Sequence, residues 1–215
     1  LYSGTFYRRF IKGEWVELEG SVYPFMANED AFWDVPLPPF TEFAVSCDYG
    51  TVNPASFGLW GKKDVWYRID EYYYDSRKEG AQRTDEEHYQ ALKKLIGGRR
   101  VSSVVVDPSA ASFMELIRRK GEYNVIPARN SVTDGVRQVS TALKDSSIRI
   151  CRNCRDSVRE FSLYRWALSG EDIPVKENDH AMDDIRYFVT TILNGGDEGF
   201  FVVAADRRKG CEVVF

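Results

Sequence analysis

Two short apolar runs in this 215-residue chain each end on an aspartate: Phe43-Ala44-Val45-Ser46-Cys47 leads into Asp48, and the β-forming stretch 101–106 leads into Asp107. In an open α/β sheet, ligands bind at the carboxyl ends of the strands. If these two strands are neighbours, their carboxylates lie side by side, repel, and call for a compensating cation. Oxygen-only donors of this kind select Mg²⁺ or Mn²⁺. Taken alone, each aspartate reads better as a turn former. A third group, Asn178-Asp179-His180-Ala181-Met182-Asp183-Asp184, opens a helix whose apolar face is Ala181, Met182, Ile185, Phe188, Val189 and Ile192. At about 100° per residue, Asp183 points away from that face and Asp184 lies at its edge, which leaves open which acid serves a site. His180 stands three residues before Asp183, so the two can meet on the helix surface. Asp179 reads as the N-cap. Pro174-Val175-Lys176 ahead of it is expected to carry the chain across the domain.

The elements that must position these groups follow a mixed pattern. Three strand-like segments, 43–47, 56–60 and 65–69, with the turn Gly61-Lys62-Lys63-Asp64 between the last two, predict an antiparallel meander. Thr84 followed by Glu87 is a capping-box pattern that starts a helix over 84–96, stopped by Gly97-Gly98. Further helices are predicted over 112–120, around Val132, Val136, Val139 and Leu143, over 156–167 and over 179–193. Short strands are predicted at Val125-Ile126 and Ile148-Arg149-Ile150. The expectation is an α/β protein with a central mixed sheet that starts with a three-strand meander, and with helices on both faces. Residues 1–42, ending in Val35-Pro36-Leu37-Pro38-Pro39-Phe40, read as an extended linker. Residues 43–194 read as the domain, and 195–215 as a tail with two β-like pieces that could pair as a short hairpin.

Composition limits the rest. With 43% hydrophobic residues, 13 Phe, 12 Tyr and 5 Trp, the chain is not mainly disordered. No apolar stretch nears the roughly 18 residues that span a bilayer, so no membrane partner is expected. The net charge of −4 argues on average against a nucleic-acid partner, although sites are local. Cys151-x-x-Cys154 lacks a second ligand pair at zinc spacing, and His88 and His180 are isolated, so the thiols read as buried and reduced.

Together these residues resemble one family. Phe6-Tyr7-Arg8-Arg9-Phe10-Ile11-Lys12-Gly13-Glu14-Trp15-Val16 leading to Val22-Tyr23-Pro24, Asp48-Tyr49-Gly50 with Asn53-Pro54-Ala55, Val104-Val105-Val106-Asp107, and the stretch 160–166 followed by Lys176, Asn178 to Asp183 and Arg186-Tyr187 carry the likeness. The chain resembles the C-terminal nuclease domain of the large terminase subunit of tailed bacteriophages, an RNase H-like fold. The resemblance implies a metal-binding and catalytic triad of Asp48, Asp107 and Asp183, with His180 beside it. Asp184 stands where a small residue often follows, which keeps it as a second candidate for the helix acid. It also implies two Mg²⁺ or Mn²⁺ ions roughly 4 Å apart that serve phosphodiester hydrolysis.

The implied function is endonucleolytic cutting of concatemeric double-stranded viral DNA during packaging. The implied partners are DNA, a small terminase subunit and the portal. The isolated domain is expected to be a monomer, the complete protein an oligomer on the capsid in the host cytoplasm. No Gly-x-x-x-x-Gly-Lys-Ser/Thr stretch occurs, so ATPase activity is not expected from these residues. Lys62, Lys63, Arg129, Arg137 and Lys144 are the candidate phosphate contacts. A Holliday-junction resolvase or transposase-type enzyme is the competing reading, and a non-catalytic DNA- or portal-docking module is a third.

Overall fold

The computed structural model describes residues 20–34, 37–167 and 173–195. Its six strands are β1 (Glu42–Asp48), β2 (Ala55–Lys62), β3 (Trp66–Tyr74), β4 (Val104–Val106), β5 (Val125–Pro127) and β6 (Ile148–Ile150). They form one sheet in the order β5-β4-β1-β2-β3-β6. The meander β1-β2-β3 is antiparallel, β4 and β5 add parallel to β1, and β6 adds parallel to β3. The helices are α1 (Ser76–Glu79), α2 (Asp85–Ile96), α3 (Ala111–Lys120), α4 (Val132–Lys144), α5 (Arg155–Phe161) and α6 (His180–Phe188). The expected mixed sheet with a meander is present.

Strand alternation divides the core between two helical layers. Phe57 of β2 stacks toward Phe113 of α3, with centroids 5.6 Å apart. On the opposite face Trp60 stacks on Phe188 of α6 at 3.8 Å. Helix α2 starts as its sequence requires: the Thr84 N–H donates to Glu87 Oε2 at 2.8 Å, and the Glu87 N–H donates to Thr84 Oγ1 at 3.3 Å. Cys47, Cys151 and Cys154 are buried free thiols, and burial pushes Cys151 up to about 12.

Four expectations change. Residues 20–34 do not run as an extended linker; they form 3₁₀ turns and bury Val22, Tyr23, Met26 and Phe32 in the common core. The reason is aromatic packing, since the Tyr23 ring meets both Phe161 and Tyr164. The helix expected over 156–167 stops at Phe161. Arg165 and Trp166 instead bridge to Ser21 and Pro174, so backbone pairing across the fold wins over helical propensity. By the same pairing, Pro174 doubles back along Trp166 rather than crossing the domain. The last helix spans His180–Phe188 and widens into a π-helical turn, Val189–Leu193, closed by the Asn194 N–H donating to Val189 O at 3.0 Å. The segment 6–16, the tail beyond Gly195 and Cys211 lie outside the described residues.

Candidate functional site

Parallel pairing puts two carboxylates at one sheet end. Cys47 of β1 lies in register with Val106 of β4, and the Asp107 N–H donates to Cys47 O at 3.1 Å. Asp48 and Asp107 therefore leave neighbouring strands side by side, as the sequence allows. Helix α6 packs across β1 and β2, and its first turn brings Asp183 to the same place. Asp48, Asp107, Asp179, His180 and Asp183 all line one cleft of about 720 Å³.

Each acid is held. Asp48 is 8% exposed, and its Oδ2 lies 2.8 Å from His180 Nδ1. Asp107 accepts from the Ser109 N–H at 2.9 Å and from the Tyr187 hydroxyl at 3.2 Å. Asp183 accepts from Arg186 Nη2 at 2.9 Å, and Lys176 Nζ lies 3.5 Å away. His180 thus meets Asp48 across the cleft, rather than Asp183 along its own helix. Asp179 occupies the N-cap position without a side-chain capping bond. Its carboxylate faces Lys176 at 3.6 Å instead. Capping of α6 falls to Glu160, a buried acid from α5, whose Oε2 accepts the Ala181 N–H at 2.6 Å. Asn178, with φ +53°, takes the left-handed conformation that turns the chain into α6.

Asp183 and Asp184 have opposite surroundings. Asp184 is fully buried beneath the sheet side of α6. It accepts both ends of the Arg68 guanidinium at 2.7 Å, Ser46 Oγ at 2.5 Å and Ser56 Oγ at 2.7 Å. A carboxylate so fully engaged has no free lone pair to offer a ligand in the cleft. Asp183 is the helix acid that borders the cleft. Two glycines make room for this arrangement. A Cβ on Gly58 would collide with the Arg68 guanidinium, and one on Gly135 of α4 would lie 2.6 Å from Arg186 Cγ and Cδ. Arg186 cannot yield, because Nη1 donates to Asn130 Oδ1 at 2.9 Å while Nε and Nη2 hold Asp183. Gly135→Ala is therefore expected to destabilise the domain by about 1–3 kcal/mol. An unconstrained helical site would gain about 1 kcal/mol from the same change. Urea denaturation measures the sign, and a more stable variant would refute the packing argument.

Electrostatics at the cleft are those of crowded like charges. Burial, then the neighbouring charges of Asp183 and Asp107, push Asp48 from 3.8 up to about 7 against the pull of His180. Burial and Asp183 likewise raise Asp179. Burial opposes charge on His180, but its Asp48 hydrogen bond and the nearby Asp179 and Glu160 hold its pKa above the usual value. Among the described residues, no three His, Cys, Asp or Glu side chains are gathered into a preformed ion cage. In this arrangement Arg186, Lys176 and His180 supply the counter-charge. The oxygen-only donors Asp48, Asp107 and Asp183, with Asp48 raised by burial and then by its like-charged neighbours, still suit a hard divalent cation in chemistry and in sign.

The proposed phosphate contacts are dispersed. Lys62 pairs with Glu42 at 3.9 Å at the far end of the sheet, six residues and about 20 Å along β1 from Asp48. Lys63 follows it in the same turn. Arg137 lies on the exposed side of α4 near Asp134, and Lys144 sits over the Phe25 ring. The Arg129 N–H donates to Thr191 Oγ1 at 3.0 Å in the β5–α4 loop, next to Asn130 of the cleft. The cations that do line the cleft are Arg77, Lys78, Arg159, Lys176 and Arg186. Lys176 and Arg186 were visible in the motif without an assigned role. Arg77 and Lys78 had only their adjacency to the end of the third strand to mark them.

The family model for the terminase RNaseH-like domain matches residues 54–191. The large terminase subunit of Escherichia phage T5 is 26% identical over 136 residues, 60% of this chain and 31% of that protein. The large terminase of a thermophilic bacteriophage, solved in complex with ADP, superposes with a TM-score of 0.76 at 49% identity, covering 89% of this chain and 50% of its own. The large terminase nuclease of the thermophilic phage G20c, solved with bound magnesium, shares the fold at a TM-score of 0.60 and 13% identity, covering 79% of this chain and 96% of its own. This chain thus spans about a third of the T5 protein and half of the ADP-bound terminase.

Proposed function

The chain belongs to the terminase RNaseH-like domain family, and from that premise we propose that it is the divalent-metal-dependent endonuclease domain of a phage DNA-packaging enzyme, cutting double-stranded concatemeric DNA. The observation that carries this reading is the convergence of Asp48, Asp107 and Asp183 on one cleft, with Asp48 pushed up to about 7 by burial and by its like-charged neighbours. In it, Asp48, Asp107 and Asp183 would hold two Mg²⁺ or Mn²⁺ ions. When bound, such ions lower the pKa of water and neutralise charge on a phosphodiester.

The chain's own residues do the rest. His180 buttresses Asp48 through Nδ1 and keeps its Oδ2 oriented. Tyr187 fixes Asp107, and Arg186 fixes Asp183. Asp48 and Asp183 are buried at the base of the cleft, where the placement of charge counts for more than it does in open water. A small terminase subunit, the portal and a motor domain outside these residues complete the proposed machine, which acts in the host cytoplasm. Supercoiled plasmid incubated with the domain should be nicked and linearised with Mn²⁺ or Mg²⁺ and stay intact with EDTA; cutting in EDTA would sink the proposal.

Stability gives a second check. Asp48, Glu160 and His180 all have folded pKa values above their ordinary ones, with Asp48 and Glu160 near 7. The folded state therefore binds more protons than the unfolded one at mildly acidic pH. The contribution of Asp48 and Glu160 is complete below their unfolded values and lost as pH rises through about 7, and that of His180 is lost as pH rises through its own raised value. For Asp48 the loss is at most about 4 kcal/mol, from about three pKa units. The metal-free domain is expected to melt lower at pH 8 than at pH 5.5. Mn²⁺ should raise Tm more at pH 8, where protons no longer compete for Asp48. Thermal denaturation at the two pH values reads both effects, and a Mn²⁺ shift larger at pH 5.5 would contradict the assignment.

A further inference from the structure

One lip of the cleft is built from two tethered segments. The loop after β1 doubles back so tightly at Gly50 that a Cβ there would meet Asn53 O and Pro54 O. Ser76 Oγ of α1 donates to Val52 O at 2.8 Å, and Arg77 Nη2 donates to Asn53 Oδ1 at 3.0 Å. Asp75 caps α1 by accepting the Arg77 N–H at 3.1 Å. Loop and helix thus form one unit directly beyond Asp48.

The charges of the cleft are unequally committed. Arg186 holds Asp183, Lys176 faces Asp179 and Asp183, and Arg159 lies against Asp156 and Glu160. Arg77 differs, because among the described residues its guanidinium donates to the neutral Asn53, so its charge is not neutralised. Lys78 pairs with Asp75 at 3.4 Å, but its side chain is 63% exposed, so the ammonium stays open to solvent. Val52 belongs to the same loop just outside the cleft lining; it is 51% exposed, one of three large hydrophobic residues exposed among those described. A nucleic-acid backbone approaching a nest of carboxylates needs its charge offset first, and a planar guanidinium matches a phosphate in two hydrogen bonds. An aliphatic crest beside those cations suits the apolar face of a sugar.

We propose that the Val52–Arg77–Lys78 lip is the DNA-backbone contact of this cleft. Arg77 grips a phosphate next to the one that is cut, Lys78 takes the phosphate beyond it, and Val52 rests on the intervening sugar. The inference rests on reading the cleft as a DNA nuclease site, and it assigns the substrate grip to residues other than Lys62, Lys63, Arg137 and Lys144.

The test is fluorescence anisotropy of a labelled duplex, in EDTA, across a salt series. It uses the full chain, the R77Q/K78Q and K62Q/K63Q variants, and Arg77→Lys, with thermal denaturation to verify folding. The expected result is that R77Q/K78Q binds about tenfold more weakly at low salt, with a salt slope reduced by about 1–2. K62Q/K63Q should bind as the parent does, and Arg77→Lys should recover most of the charge-dependent part. Equal binding by R77Q/K78Q and the parent overturns the proposal, as does a parent that binds no duplex at low salt. A parent that binds through Arg77 and Lys78 but never cuts with Mn²⁺ would instead refute the nuclease reading and leave the lip standing. Cutting without dependence of binding on the lip would do the reverse.

Discussion

Asp183→Asn is expected to lower metal-dependent plasmid cleavage by on the order of 10²–10³-fold, while Asp184→Asn lowers it only as far as the folded fraction falls. The two residues are adjacent and chemically identical, so the contrast isolates geometry. Asp183 borders the cleft with Asp48 and Asp107. Asn at 183 keeps the size of the side chain but removes the negative charge that a divalent cation requires. Some stability should go as well, about 1–3 kcal/mol, because Arg186 is 1% exposed and would lose its charged partner while keeping Asn130. Cleavage assays therefore belong at a temperature where thermal denaturation shows both variants folded. Asp48→Asn and Asp107→Asn should match Asp183→Asn. Full activity in Asp107→Asn, or loss in Asp184→Asn with retention in Asp183→Asn, would overturn the assignment of the triad.

Why a helical wheel could not separate these two acids is a matter of burial. Wheel analysis assumes a polar face toward water and an apolar face toward the core. Every residue of α6 from Ala181 to Phe188 is buried, so that contrast does not exist. One of its buried faces meets the cleft and another meets Arg68, which stands in β3, 116 residues earlier in the chain. A charged residue inside an apolar strand was the available signal for that pair, and Gly58, interrupting the strand opposite, was the signal for the room it needs. What was legible was local or followed from adjacency. The Thr84 capping box, the strand ends at Asp48 and Asp107, and the meander all depend on residues close in sequence. Misread features depended on distant partners. Tyr23 leaves its linker-like neighbourhood because Phe161 and Tyr164 wait for it. The Lys62-Lys63 turn is conspicuous in sequence, and what the sequence did not show is that strand direction puts it at the end of the sheet away from the acids.

Asp184→Ala is expected to be the most destabilising single change near the cleft, costing about 3–5 kcal/mol. In a domain of this size that corresponds to a fall in Tm of roughly 6–20 °C. The magnitude comes from what is left behind. Arg68 is fully buried, and burial opposes its charge, but Asp184 and then Glu71 hold its pKa above the usual value. Without Asp184 the guanidinium keeps only Glu71 at 3.5 Å, and the Ser46 and Ser56 hydroxyls lose their acceptor. Replacing both partners, Arg68→Met with Asp184→Leu, removes the stranded charge and should cost less than either single change, since apolar pairs often substitute for buried ion pairs. A thermal-denaturation cycle over the four proteins measures the coupling, and additive losses would show that the pair does not act as a unit. The cycle also reaches the cleft. Ser46 lies two residues from Asp48 on the same face of β1, and Asp184 directly follows Asp183, so this pair joins the strand and the helix that carry two of the three cleft acids. If it sets their register, the double variant should regain stability but not the Mn²⁺-induced rise in Tm. A double variant that recovers both would make the ion pair a stabilising contact with no part in aligning Asp48 and Asp183.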